Sequence, residues 1–219
     1  MTTMVKAYKG MGMEGGIARW YDKTTRKDMP AVRELAAKIA GMTPAGGTVL
    51  EVAPGPGFLS IELAKRGLDV QAVDISKTFI ELARKNAAEA GVGAVFMHGN
   101  AAELPVRTEC VDFVVCRAAF KNFTEPVKAM REMLRVLKPG GTAMLIDMRR
   151  DVSIEELQKY VDGLGVSWFS RKFMMLTFRG MLIKRAYPLE EIERMAAEAG
   201  WKDVRIETTP VGFAACVRK

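Results

Sequence analysis

Between residues 48 and 147 short, continuous apolar runs alternate with segments of helical periodicity, an order that few folds accommodate. The runs Thr48–Ala53, Val70–Asp74, Ala94–Met97, Phe113–Cys116 and Ala143–Asp147 read as strands, separated by helices at about Phe58–Arg66, Lys77–Ala90 and Pro126–Leu137. Strands that are apolar throughout and joined through helices call for a mostly parallel sheet covered on both faces, a doubly wound α/β domain. Local chemistry agrees: Ser76 stands where an N-cap is needed, and Gly91 where a helix ends in a left-handed residue. Upstream, Asp28 reads as the cap of a helix with Pro30 in its first turn, Val32, Leu35, Ala36 and Ile39 on one face and Gly41 at its end. Downstream, a helix from Pro188 to Gly200 and strands near Val204–Glu207 and Gly212–Val217 bring the expected sheet to seven strands.

The 219 residues, 49% hydrophobic and 27% charged, suffice for one globular domain with a good-sized core. They divide into an arm (1–28) with a short helix around Ile17–Tyr21, able to close over a site, a core (29–150), a helical insertion (151–187) and a C-terminal helix and strands (188–219). Three cysteines, Cys110, Cys116 and Cys216, form no CxxC pair, which argues against a disulfide framework and against a metal site. No stretch approaches a transmembrane helix, and the N-terminus lacks the apolar core of a secretion signal, so the expected location is the cytoplasm. The net charge of +7 gathers at Arg149-Arg150, Arg171-Lys172, Arg179 and Lys184-Arg185 without forming a block, which fits a solvated face better than a dedicated nucleic-acid surface.

The strongest motif is Val49-Leu50-Glu51-Val52-Ala53-Pro54-Gly55-Pro56-Gly57, a strand that enters a Gly/Pro turn just before a helix. Glycines there let backbone pass close to a ligand in the crevice at the carboxyl ends of the strands. A dinucleotide site fits poorly, because Ser60 stands where the third glycine of GxGxxG belongs. Asp74, ending the second strand, can accept from both ribose hydroxyls of an adenosine, and Ile75 can lie on the adenine face. After the third strand, Asn100 offers a side-chain oxygen to the adenine amino group and Ala101 an amide to the ring. His98, the sole histidine, reads as structural.

With Val73-Asp74-Ile75-Ser76, Gly99-Asn100-Ala101, Val111-Asp112-Phe113 and Met133-Leu134-Arg135-Val136-Leu137-Lys138-Pro139-Gly140-Gly141 added to the Glu51–Gly57 turn, residues 15 to 150 resemble the class I S-adenosylmethionine-dependent methyltransferases, in the branch that includes ubiquinone/menaquinone C-methyltransferases. The resemblance implies a Rossmann-like sheet with S-adenosylmethionine as cofactor and S-adenosylhomocysteine as product. It implies a cofactor lining of Glu51, Ala53, Gly55, Gly57, Asp74, Ile75, Asn100, Ala101 and the backbone around Cys116 and Arg117, with Tyr21 near the methionine carboxylate. Many relatives carry Asp where this chain has Asn100. Many also carry a His after the fourth strand, where this chain reads Arg117-Ala118-Ala119-Phe120-Lys121-Asn122-Phe123, closer to the quinone enzymes' Arg-Asn pattern.

Insertions after the fifth strand in the resembling family cover the acceptor, so the Met- and aromatic-rich stretch from Tyr160 to Leu182 reads as a lid over an apolar pocket. Trp168, Phe173 and Phe178 are expected to line it, and Lys121 and Asn122 to face the acceptor. The resulting expectation is methyl transfer to a small apolar or aromatic molecule. An RNA methyltransferase and a noncatalytic cofactor-binding protein stay open; an arsenic-type enzyme using Cys110 and Cys116 is disfavoured by their loose spacing.

Overall fold

Successive residues of the central strands enter cores on opposite sides of one sheet. Val49, Phe113, Val115 and Met144 pack with Val32, Ala36, Ile39, Leu59 and Leu63, whereas Leu50, Val52, Val114, Cys116 and Leu145 pack with Met130, Met133, Ile192 and Met195. Both faces being apolar, the strands need helices on both sides. The computed structural model that shows this describes residues 8–9, 12–163, 168–178, 180 and 183–219. Its elements are α1 (Gly15–Thr25), α2 (Met29–Met42), β1 (Thr48–Val52), α3 (Phe58–Ala64), β2 (Asp69–Asp74), α4 (Lys77–Glu89), β3 (Val95–His98), β4 (Val111–Arg117), α5 (Pro126–Val136), β5 (Leu137–Met148), α6 (Ile154–Gly163), α7 (Trp168–Thr177), α8 (Ile183–Arg185), α9 (Leu189–Glu198), β6 (Arg205–Thr208) and β7 (Gly212–Arg218).

The seven-stranded sheet has the order β3-β2-β1-β4-β5-β7-β6, parallel from β3 through β5, with β7 antiparallel to both neighbours. From β1 the chain builds outward through β2 and β3, then returns to place β4 on the other side of β1. That reversal opens a crevice at the carboxyl ends of β1 and β4, the place where open α/β sheets bind ligands. Register sets its floor, because Val52 pairs with both Val73 and Cys116, and Cys116 with Leu145.

Helix ends follow the local chemistry with three exceptions. Ser76 accepts from Phe79 N at 3.1 Å and Gly91 is left-handed at φ 66°, both as expected. Asp28 makes no capping hydrogen bond, since a 3₁₀ turn over Arg26–Asp28 runs straight into α2, and α2 continues through Gly41 to Met42. The arm helix spans Gly15–Thr25, longer than its apolar pattern suggests.

Two tight places surround the crevice. Gly57 has φ 81°, and a Cβ there would sit 2.9 Å from Ala83 Cβ and 3.1 Å from the Phe96 ring. Ala53 and Ala118, at the ends of β1 and β4, hold left-handed φ values of 59° and 58° despite their side chains. Such conformations persist only where surrounding packing enforces them, and they gather at functional sites. Replacing Gly57 with Ala combines the left-handed penalty with a core collision and should lower unfolding free energy by roughly 2–4 kcal/mol in urea titrations; a change below about 1 kcal/mol would show that α3 and α4 are free to move apart.

Candidate active site

Two carboxylates lie buried side by side at the end of the β1–β2 pair. Glu51, 3% exposed, receives the hydroxyl of Ser60 from the first turn of α3. Burial lifts its carboxyl to about 7, although Ser60 and the Arg117 guanidinium pull the other way. Asp74, 5% exposed, accepts from Gly55 N at 3.0 Å through one oxygen and from Ser76 N at 2.8 Å through the other. It too is raised by burial, to about 6, with those two amides opposing. Asp74 thus fastens the glycine turn after β1 to the start of α4. Ser60, which spoils the dinucleotide fingerprint, is the partner that lets Glu51 be buried.

Other expected residues gather around this pair. Tyr21 packs edge-on to Phe79, with ring centroids 5.8 Å apart, and its ring edge lies 3.9 Å from where a Gly55 Cβ would be, so Gly55 keeps an opening under the α1 tyrosine. Burial raises the Tyr21 hydroxyl, while the charge of Arg117 opposes that rise as it does at Glu51. Ile75 is 39% exposed at the crevice edge. Half-buried Asn100 turns its side-chain oxygen to its own backbone, accepting from Ala102 N at 3.0 Å, and Ala101 packs against the core. Cys116 is fully buried and its thiol is pushed far up, which leaves only its backbone for ligand contact. His98 sets its Nε2 3.1 Å from Ile75 O, a structural role.

The acceptor-side expectations change more. Lys121, expected to face the acceptor, is 6% exposed and bonds Asp147 Oδ1 and Ala118 O, each at 2.8 Å, while its own backbone N donates to Asp147 Oδ2 at 2.9 Å. A buried ammonium demands such partners. Asn122, 8% exposed, has its carbonyl engaged by Lys9 N at 2.7 Å. Trp168 is 58% exposed and so does not line an enclosed pocket; Phe178 packs edge-on against Tyr160 at 6.1 Å inside the lid. The Phe173 side chain lies outside the described residues, as do Arg179, Met181 and Leu182.

Sequence reasoning missed the arm's anchors. Glu14 accepts from Lys77 N at 3.0 Å and Thr78 N at 3.1 Å, capping α4 from outside, and Ser76 Oγ donates to Met13 O at 2.6 Å. At the other wall Tyr8 bridges to Phe123, and Lys9 reaches the Tyr187 hydroxyl and ring. Met13 and Glu14 therefore hold the α4 wall, and Tyr8 and Lys9 the β4 wall. Asp147 was missed as well, although a strand ending in a buried acid was the available signal.

The pair of Lys121 and Asp147 should behave as a unit. Lys121→Met strands a buried carboxylate and is expected to cost about 3 kcal/mol of stability, with Lys121→Met/Asp147→Asn recovering part of that loss in the same urea titration. The raised carboxyls give a second test. Held above the ordinary range near 4, they bind protons in the native chain that the unfolded chain has released, so stability falls as pH rises from about 5 to about 7 and levels off above. Glu51→Gln should flatten that slope, and a wild-type slope of the opposite sign would contradict the assignment.

Residues 50–145 match the family model described as Methyltransferase domain. The chain is 29% identical over 194 residues to a demethylmenaquinone methyltransferase of Renibacterium salmoninarum, covering 85% of this chain and 79% of that one. Among solved structures, an S-adenosylmethionine-dependent methyltransferase from Aquifex aeolicus shares the fold with TM-score 0.65 at 22% identity over 85% and 88% of the two chains. A Methanococcus maripaludis protein does so with TM-score 0.73 at 21% identity over 98% and 97%. The domain match, the named relatives and the shared fold agree: residues 50–145 carry a methyltransferase domain, the protein is an S-adenosylmethionine-dependent methyltransferase, an enzyme, and its sheet is similar to that of the class I proteins.

Proposed function

We propose that this enzyme methylates a small apolar or aromatic acceptor, and that the crevice between β1 and β4 is where it does so. The carrying observation is the pair of buried carboxylates beside an open glycine turn. Each is short of donors for its burial, a mismatch that the hydroxyls and positive charge of S-adenosylmethionine would relieve. Asp74 would take the ribose hydroxyls, Ile75 the adenine face, and Asn100 and Ala101 the adenine edge. Glu51, Ala53, Gly55, Gly57 and the backbone at Cys116 and Arg117 would line the rest. Tyr21 would lie at the methionine carboxylate.

When bound, S-adenosylmethionine would supply an activated methyl group on its sulfonium sulfur, and the residues named above would hold that group in line with the acceptor's nucleophilic atom. Alignment is the protein's main contribution, and well-oriented reactants can supply on the order of 7–11 kcal/mol of the barrier. Near the loop after β4, buried Phe120 packs against Phe123 and Tyr187, each at 5.7 Å between ring centroids, so half-buried Tyr187 is the ring of this cluster that could meet a flat apolar acceptor. The named relatives act on demethylmenaquinone, which supports a quinol-like acceptor. We further propose a division of labour: residues 1–28 as a strap, 29–150 as the cofactor core, 151–187 as the lid and 188–219 as the sheet's completion. Three free cysteines fit a reducing, cytoplasmic setting, and among the described residues no helix is long and apolar enough to cross a membrane.

Calorimetric titration with S-adenosylhomocysteine tests the site. Asp74→Ala should weaken binding by about 10- to 100-fold, from the loss of hydrogen bonds to a charged group, while NAD gives no heat. Unchanged affinity in a folded Asp74→Ala protein would overturn the placement, and turnover on a quinol-type acceptor but not on RNA would support the acceptor class.

A further inference from the structure

Between Asp162 and Glu190 the sequence contains no acidic residue, yet it holds Arg171, Lys172, Arg179, Lys184 and Arg185 among aromatic, Met and Leu side chains. Elsewhere the two charge signs are interspersed. Helix α7 lies within this stretch, and burial splits it into two faces. Arg171, Met174 and Met175, with Phe178 just past the helix, are half-buried at the i, i+3, i+4, i+7 spacing of an inner face. That face is turned to α6, to which Arg171 is tied by an ion pair to Asp162 at 3.1 Å.

Trp168, Lys172 and Leu176 follow at i, i+4 and i+8 and point outward, Trp168 being 58% and Leu176 72% exposed. Lys172 Nζ stands 4.3 Å over the Trp168 ring, so cation and indole form one patch. Lys184 and Arg185 are exposed on the short helix that follows. A helix with its apolar side inward would hide its Trp and Leu and show solvent its charges. Here a Trp, a Leu and a Lys share the outward stripe, about 12 Å long for eight residues of helical rise.

We propose that this outer face of α7 docks on an anionic lipid surface. The chemistry matches on both counts: large apolar side chains enter the acyl boundary, an indole settles at the headgroup level, and the exposed bases Lys172, Lys184 and Arg185 meet negative headgroups. Each base near such a surface contributes attraction that salt screens. The lid would then meet the bilayer directly, and an apolar acceptor would have a short path from lipid to crevice. The docking stands on the charge pattern and exposure alone, so it holds whichever acceptor is methylated.

The test is co-sedimentation of the full chain with vesicles of phosphatidylglycerol and phosphatidylcholine against vesicles of phosphatidylcholine alone, with S-adenosylhomocysteine affinity as the control for folding. We expect binding to the anionic vesicles only, weakening with salt, and at least a tenfold loss of partitioning in Trp168→Ala/Leu176→Ala and in Lys172→Glu, with product affinity unchanged. Equal partitioning of variants and wild type, absence of binding to anionic vesicles, or capture by RNA that the same variants abolish would each overturn the proposal. If the double variant fails to fold, Lys172→Glu carries the test alone.

Discussion

The structure depends on burying two carboxylates, Glu51 and Asp74, at the carboxyl ends of two inner strands of the sheet. Taking an ionised carboxylate out of water is costly unless donors replace the lost solvent. Asp74 recruits the amides of Gly55 and Ser76. Those bonds fix the turn after β1 against the start of α4, which in turn requires Gly57 to hold a left-handed backbone pressed against Ala83 and Phe96. Glu51 recruits Ser60, which sits in the first turn of α3 and is itself fully buried. The glycine turn, two helix starts and two strand ends are thereby locked into one unit. Its donors are too few to bring either acid back to its ordinary range, which is the feature that the proposed cofactor's hydroxyls and positive charge would answer.

Across the crevice a different solution serves the same purpose. The loop after β4 bends through left-handed Ala118, and Lys121 folds back under it to meet Asp147 at the end of β5. Here the buried acid has an ion pair and two amides, those of Lys121 and Met148. This wall is structurally closed where the opposite wall is chemically open. The arm is held by Glu14 on one side and by Tyr8 and Lys9 on the other. Capping a helix with a carboxylate from another segment is a weak tie that water can replace.

The sheet was legible because its evidence is repetitive: apolar runs, helical spacing and turn residues all pointed to the same order of elements. Ser76 and Gly91 were readable for the same reason, each being a local rule obeyed locally. Asp28 was not, because a 3₁₀ turn continuing into α2 removed the geometry a cap needs. Asp74 could be read as a binding residue from its place at a strand end. The burial of Lys121 could not be read, since the sequence shows a base in a loop and hides the acid that lies 26 positions away. Ser60 looked like a defect in a glycine motif until its partner nine residues earlier came into contact. Trp168 illustrates the converse: aromatic content marked the lid, but which face of α7 an aromatic occupies is decided by the packing of α6.

Charge is arranged in depth as well as along the chain. The crevice buries two carboxylates, Glu51 and Asp74, besides the Asp147 that Lys121 neutralises, while the whole carries +7. A cationic ligand is therefore favoured inside and an anionic surface outside, and the two preferences do not compete because burial separates them. Solvent screens the outer charges over roughly 8–10 Å at physiological salt, whereas the buried ones are screened far less. A single uniform field could not do both. On the proposed function, the arrangement would let one small chain hold a sulfonium in its centre and still present a basic surface to its surroundings.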